Sequence, residues 1–111
     1  MDSKIERGTD GLAILHLTGR LDLASASNFK GQVTKLLEDG VSVVILYLAE
    51  VSFVDSSGLG AIVGGLKAAR QRGGDLRLAG AQEQMLSLLE LTTLISVLRP
   101  YATIEEAAAG H

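Results

Sequence analysis

The chain has no cysteine and no tryptophan, and only one proline, two histidines, two phenylalanines and two tyrosines among 111 residues. Without cysteine there is no disulfide framework, no thiol catalysis and no zinc site built on thiolates, and the composition fits a reducing cytosol. His16 and His111 are too few to build a histidine metal centre without many carboxylates around them, so no metal is expected. Charge of one sign is equally scarce. A formal net charge of −3 offers no basic face for nucleic acid. The longest apolar-rich run, residues 59–69, carries Lys67 and is too short to cross a bilayer. No secretory leader is visible at the N-terminus, so a cytoplasmic location without a membrane partner is expected.

What remains is an aliphatic chain of one-domain length, residues 1–111, with 47% hydrophobic residues and 4% aromatics. Ile5 opens a short segment that breaks at Gly8-Thr9-Asp10-Gly11, a turn composition. Residues 12–18 read as a strand paired back on the first, which Gly19-Arg20-Leu21-Asp22 then leaves. Ser25 or Ser27 is placed to cap a helix bearing Phe29, Val33, Leu36 and Leu37 on one face, ended by Asp39-Gly40. The unalternating run 41–48 is a strand covered on both faces. A loop over 50–57, a helix over 58–71, a strand over 76–79, a helix over 83–91 and a last helix from Thr103 follow. Thr103 and Glu106 have capping-box spacing. The order β-β-α-β-α-β-α-α implies an α/β fold. Its central sheet is mostly parallel with an N-terminal antiparallel hairpin, and helices pack against it. Gly60, Gly64 and Gly65 weaken the second helix, by roughly 1 kcal/mol each relative to alanine. A close backbone approach or a partner's surface would account for so bare a helix. Lys67, Arg70 and Arg72 are read as complementing a helix C-terminus.

The stretch Asp55-Ser56-Ser57-Gly58-Leu59-Gly60 places paired hydroxyls between an apolar run and a helix start, where unpaired N–H groups and the peptide dipoles favour negative charge. A serine there is either a cap or a place for a phosphate. Other chemistries fit less well. After Gly58 and Gly60, a dinucleotide loop needs its third glycine at the position held by Val63. No Gly-Lys-Ser/Thr exists for a Walker loop. A nucleophile elbow around Ser56 would need glycine where Val54 stands, and no general base accompanies it. His16 sits mid-strand, and His111 ends the chain, where mobility is expected. Asp22 and Asp55 both leave apolar strands near ends where ligands collect, and each reads equally as a local cap or as a functional acid.

At these residues the chain resembles a STAS domain of the anti-sigma factor antagonist family, over nearly its whole length. Leu17-Thr18-Gly19-Arg20-Leu21-Asp22 is similar to the family's Gly-Glu-Leu-Asp turn. The ten residues from Val51 to Gly60 resemble its phosphorylation signature. Gln71-Arg72-Gly73-Gly74 is similar to the helix-to-strand corner, and residues 86–94 to the helix that follows. Two positions depart from the pattern: Arg20 stands where an acid is usual, and Thr93 where Thr-Gly-Leu would place glycine. The resemblance implies a non-enzymatic partner switch without a cofactor. Ser56 would be the phosphoacceptor, Ser57 a support of the helix start, and Asp22, Asp55, Ser57, Gly58 and Leu59 partner contacts. The implied partners are a GHKL-type serine kinase that is also an anti-sigma factor, and a serine phosphatase. The protein itself is expected to be a monomer or weak dimer. A STAS module of a transporter complex, or a switch with an output other than a sigma factor, are the alternatives.

Overall fold

The computed structural model describes residues 1–110, so the expectation for His111 lies outside the described residues. The hairpin is made by β1 (Asp2–Arg7) and β2 (Leu12–Leu21), followed by α1 (Leu23–Glu38), β3 (Val43–Val54) and α2 (Ser56–Gln71). Then come β4 (Asp75–Ala79), α3 (Glu83–Leu91), a 3-10 turn (Leu94–Ser96), β5 (Pro100–Tyr101) and α4 (Ile104–Ala109). The five strands lie in chain order, β1 antiparallel to β2 and every later neighbour parallel. The α/β expectation and the N-terminal hairpin are both borne out. Asp10 and Gly11, both at positive φ (57° and 77°), close that hairpin, the conformation a tight two-residue turn demands.

Alternation in β2 sends Ala13, Leu15, Leu17 and Leu21 to one face, where they meet Phe29, Val33 and Leu36 of α1 and Ile62 and Leu66 of α2 in the main core. The opposite face is covered only in part: α4 lays Ala107 against Ile14, Ile45 and Ala79. Covered on both faces, the centre of β3 reads as an unbroken apolar run, as expected.

Three boundaries need correction, and two elements were not expected. β2 does not stop at Thr18 but runs on to Leu21, and β3 does not stop at Leu48 but runs to Val54, where the sequence reading placed a loop. The two extensions pair with each other, Leu21 opposite Val54, past register shifts near Gly19. The β3–β4 pairing ends at Tyr47, so the backbone of 49–54 has no strand on that side. Side chains at the start of α3 fill the gap: Gln82, its N-cap, donates to the Ala49 carbonyl (2.7 Å), and Gln84 both accepts from Val54 N–H (2.9 Å) and donates to Val54 O (3.0 Å). The second helix begins at Ser56, not Gly58. Finally, β5 and the 3-10 turn were not expected; two residues of strand beginning with proline leave almost no periodic signal. The last helix is capped by Thr103 as expected, its hydroxyl accepting from Glu106 N–H at 3.1 Å.

Candidate functional site

Because Leu21 and Val54 are paired, Asp22 and Asp55 leave the sheet side by side and each becomes the first cap of the helix that follows. Asp55 Oδ1 accepts from Gly58 N–H (2.8 Å), capping α2. Asp55 Oδ2 accepts from Leu23 N–H (3.2 Å), at the first turn of α1. Its own N–H donates to Leu21 O (3.2 Å), so this one residue joins both strand ends and both helix starts.

Asp22 caps α1 reciprocally with Ser25. The Ser25 N–H donates to Asp22 Oδ1 (3.3 Å), and the Asp22 N–H donates back to Ser25 Oγ (2.9 Å). The expectation that Ser25 or Ser27 is the cap is therefore corrected by three residues: Ser25 is the third helical position, and the aspartate before Leu23 is the cap. Partial burial works to raise the Asp22 pKa, but the Ser25 hydroxyl and N–H, together with Arg20 and the Ala24 N–H, hold it below the ordinary carboxylate value of 3.8. Arg20 Nε lies 3.6 Å from Asp22 Oδ2 while its guanidinium stacks 4.4 Å over the Phe53 ring. The residue that departs from the family pattern is thus fixed beside the site.

With Asp55 as cap, the paired serines are left unused by the fold. Ser56 is the first helical residue and exposed; Ser57 is second and half-buried. Gly58 N–H is taken by the cap, and Leu59 N–H closes the first helical bond to Asp55 O (2.9 Å). The N–H groups and hydroxyls of Ser56 and Ser57 have no hydrogen-bond partner among the described residues. An anion placed on Ser56 would meet free donors and the positive end of the helix dipole.

Gly58 and Leu59, expected to touch a partner, are both buried in the domain. Leu59 is 5% exposed, with its side chain already in the main core. Gly58 is buried because a Cβ there would lie 2.2 Å from the Leu21 carbonyl oxygen, so the glycine lets α2 approach the end of β2. Two residues that the sequence reading passed over belong beside Ser56. Leu23 projects from the first turn of α1 with 75% of its surface exposed, while its own N–H is held by Asp55. Gln84 fixes the residue just before Asp55 from the side. Leu23 stands between two predicted cap positions and belongs to no apolar period, which was the available signal.

The cationic trio is only partly at a helix end. Arg72 donates to the Leu37 carbonyl (3.3 Å) in the last turn of α1, its neighbour rather than its own helix, and Arg70 faces Asp75 at 3.5 Å. His16 is half-buried on β2, with Nε2 2.9 Å from Glu6 Oε1 and its ring edge-on to Tyr47, far along the strand from Ser56. No group of three or more His, Cys, Asp or Glu side chains is arranged for a metal among the described residues. No helix among them is long and apolar enough to cross a membrane.

A chain-ordered sheet with one antiparallel edge, and an exposed serine where adjacent capped helices begin, defines a small α/β domain that displays a hydroxyl at a helix start. The family model for the STAS domain matches residues 4–107, and the chain belongs to that family. An anti-sigma-B factor antagonist of Bacillus subtilis is 32% identical over 84 residues, covering 76% of each chain. A crystal structure from Thermotoga maritima, described as an anti-sigma factor antagonist, superposes with a TM-score of 0.86 at 33% identity, covering 97% of this chain and 91% of the other. The Bacillus SpoIIAA has the same fold in its unphosphorylated and phosphorylated forms, with TM-scores of 0.74 and 0.76 at 23% identity. Those two structures cover 97% of this chain and 96% and 97% of their own.

Proposed function

We propose that the protein is an anti-sigma factor antagonist of the partner-switching kind, with Ser56 as the phosphoacceptor. Unmodified, it binds a GHKL-type serine kinase that also serves as the anti-sigma factor, and so frees a sigma factor in the cytoplasm. The kinase transfers the γ-phosphoryl group of ATP to Ser56 Oγ, releasing ADP, and the complex separates; a serine phosphatase restores the hydroxyl. The observation that carries this reading is the division of labour at the start of α2. Asp55 does the capping, so the exposed Ser56 hydroxyl is free to be modified without loss of the helix.

The relatives support the same reading by name: the Bacillus subtilis protein is an anti-sigma-B factor antagonist. A phosphate adds about −1.5 to −2 charges and three acceptor oxygens at a place where the free N–H groups accept them. Within the protein the dianion is tolerated, while toward a partner pressed against Asp22, Asp55, Ser57 and Leu23 it adds repulsion and desolvation. Leu23, rather than Leu59, is the apolar contact in this reading, and covering it would contribute roughly 1.5–3 kcal/mol. A modification costing about 4 kcal/mol weakens a complex on the order of a thousandfold.

The test is to incubate the protein with its candidate kinase and ATP and to locate the phosphate by mass spectrometry. Ser56→Ala is expected to bind the kinase without being labelled, and Ser56→Asp to fold normally but lose binding. Labelling of Ser56→Ala as strong as that of the parent would remove the site.

A further inference from the structure

We infer that the free edge of β1 is a self-association surface, on which β1 of a second copy pairs antiparallel about a two-fold axis at Ile5. β1 is an outer strand of the sheet, and all six of its residues are exposed. An antiparallel ladder alternates residues bonded to the neighbour with residues whose N–H and C=O point away. Gly8 N–H donates to Leu12 O (2.8 Å) in continuation of the β1–β2 register, so Asp2, Lys4 and Glu6 are the residues bonded to β2. From the far side of β2, Gly11 O accepts from Val43 N–H (3.2 Å), which turns the odd-numbered residues of β2 toward β3 and confirms the parity. Ser3, Ile5 and Arg7 therefore present their backbone groups outward.

Only registers that oppose these three to themselves can form the ladder, and charge selects among them. Centred on Ile5, the pairing sets Ile5 against Ile5 and Ser3 against Arg7, so all outward groups of Ser3, Ile5 and Arg7 bond on both strands. The same register sets Lys4 against Glu6 of the second copy and Glu6 against its Lys4. Sliding by one step to either side instead opposes Lys4 to Lys4, or Glu6 to Glu6, which is unfavourable for directly opposite residues. Charges on an edge strand ordinarily discourage foreign strands; here they also favour one self-complementary register, the pattern a two-fold contact requires.

The surroundings of the edge are already ordered. Glu6 is held by His16, Arg7 by Asp39 at 3.2 Å, and Ser3 by Gln32 of α1. Between them Ile5, 42% exposed, stands on the α1 side and would be covered by its counterpart. One strand from each copy makes a small interface, so the association is weak and reversible. The two copies of β2 would run in opposite directions, which leaves the two Ser56 sites at opposite margins of the joined sheet, both open.

Sedimentation velocity of the full chain over rising concentration tests this, with circular dichroism to check that each variant folds. The parent is expected to shift from monomer toward dimer. Ile5→Pro removes one outward N–H and none that bonds β2, a position an edge strand tolerates, and is expected to stay monomeric. Lys4→Glu and Glu6→Lys are each expected to self-associate at least about tenfold more weakly than the parent. Mixed in equal amounts they are expected to pair again, since one strand is then wholly acidic and the other wholly basic at these positions. A parent that stays monomeric throughout overturns the proposal, as does a dimer that persists in both single charge variants.

Discussion

Asp55 uses each carboxylate oxygen for a different helix, and that single fact leaves Ser56 without structural duty. A serine cap would have tied phosphorylation to loss of the helix start. With an aspartate in that place, a phosphate on Ser56, as proposed, would leave the hydrogen bonds of the helix start standing. Thr93 is the opposite case, a residue working against its backbone. It ends α3 in the left-handed region, at φ 58°, where a β-branched side chain is strained. The family pattern has glycine there, which suffers no such strain. Thr93→Gly is therefore expected to stabilise the fold by about 1 kcal/mol, the strain relieved exceeding the extra chain entropy of glycine. An unchanged or lower urea midpoint would contradict it.

At the scale of elements, α2 carries glycines of two kinds that the sequence cannot tell apart. Gly58 lies against the Leu21 carbonyl, and a Cβ on Gly65 would come within 3.0 Å of a Leu76 methyl, so these two allow the close approach of helix to sheet. Gly60 and Gly64 are exposed and open, with nothing within 4 Å of an added Cβ. Of Gly60, Gly64 and Gly65, the expected compensation by tertiary contact thus holds for Gly65 alone. Urea titrations should separate them: Gly58→Ala is expected to cost about 2–3 kcal/mol by overlap with backbone, whereas Gly64→Ala is expected to stabilise by about 0.5–1 kcal/mol. Equal effects at the two positions would mean that α2 moves freely against β2. Gln82, just before α3, and Gln84 within it act between elements in the same way, completing the end of β3 where no strand reaches.

Over the whole molecule, acid acts at both ends of α1. Asp22 at its start is lowered for the reasons given above, burial opposing and the Ser25 bonds prevailing. Asp39 at its end is lowered by hydrogen bonds from Lys35 and Arg7. In both, the folded pKa lies below the unfolded one, so the unfolded chain takes up protons first as pH falls. The stabilisation is fully present above the unfolded value, near 3.8, and is lost as pH drops through the lower folded values. Melting temperature is expected to be insensitive to these two groups above about pH 5 and to fall below about pH 4. Asp39→Asn should flatten the acid limb, and salt should weaken the same term because the pairs are exposed. An acid limb identical in Asp39→Asn would assign the loss to other groups.

Much of the architecture was legible because local pattern and tertiary environment agree. The bounds of α3 were read correctly from Met85, Leu88 and Leu89 at helical spacing, and the end of α1 from Asp39-Gly40. Where the reading slipped, long-range pairing had overruled local composition: residues 49–54 look like a loop, yet they are strand because Gly19 to Leu21 lies alongside them. The signature from Val51 to Gly60 pointed to Ser56 in the sequence, but the roles inside it were not separable there.

Residue types and their order along the chain determined the class of fold, its alternation and the place of the paired serines at a helix start, since periodicity and turn chemistry are properties of neighbours. Packing alone decided which glycine is indispensable, that Leu59 faces inward while Leu23 faces out, and that one aspartate serves two helices. Those outcomes depend on strands brought side by side from distant parts of the chain, a proximity that no local pattern encodes.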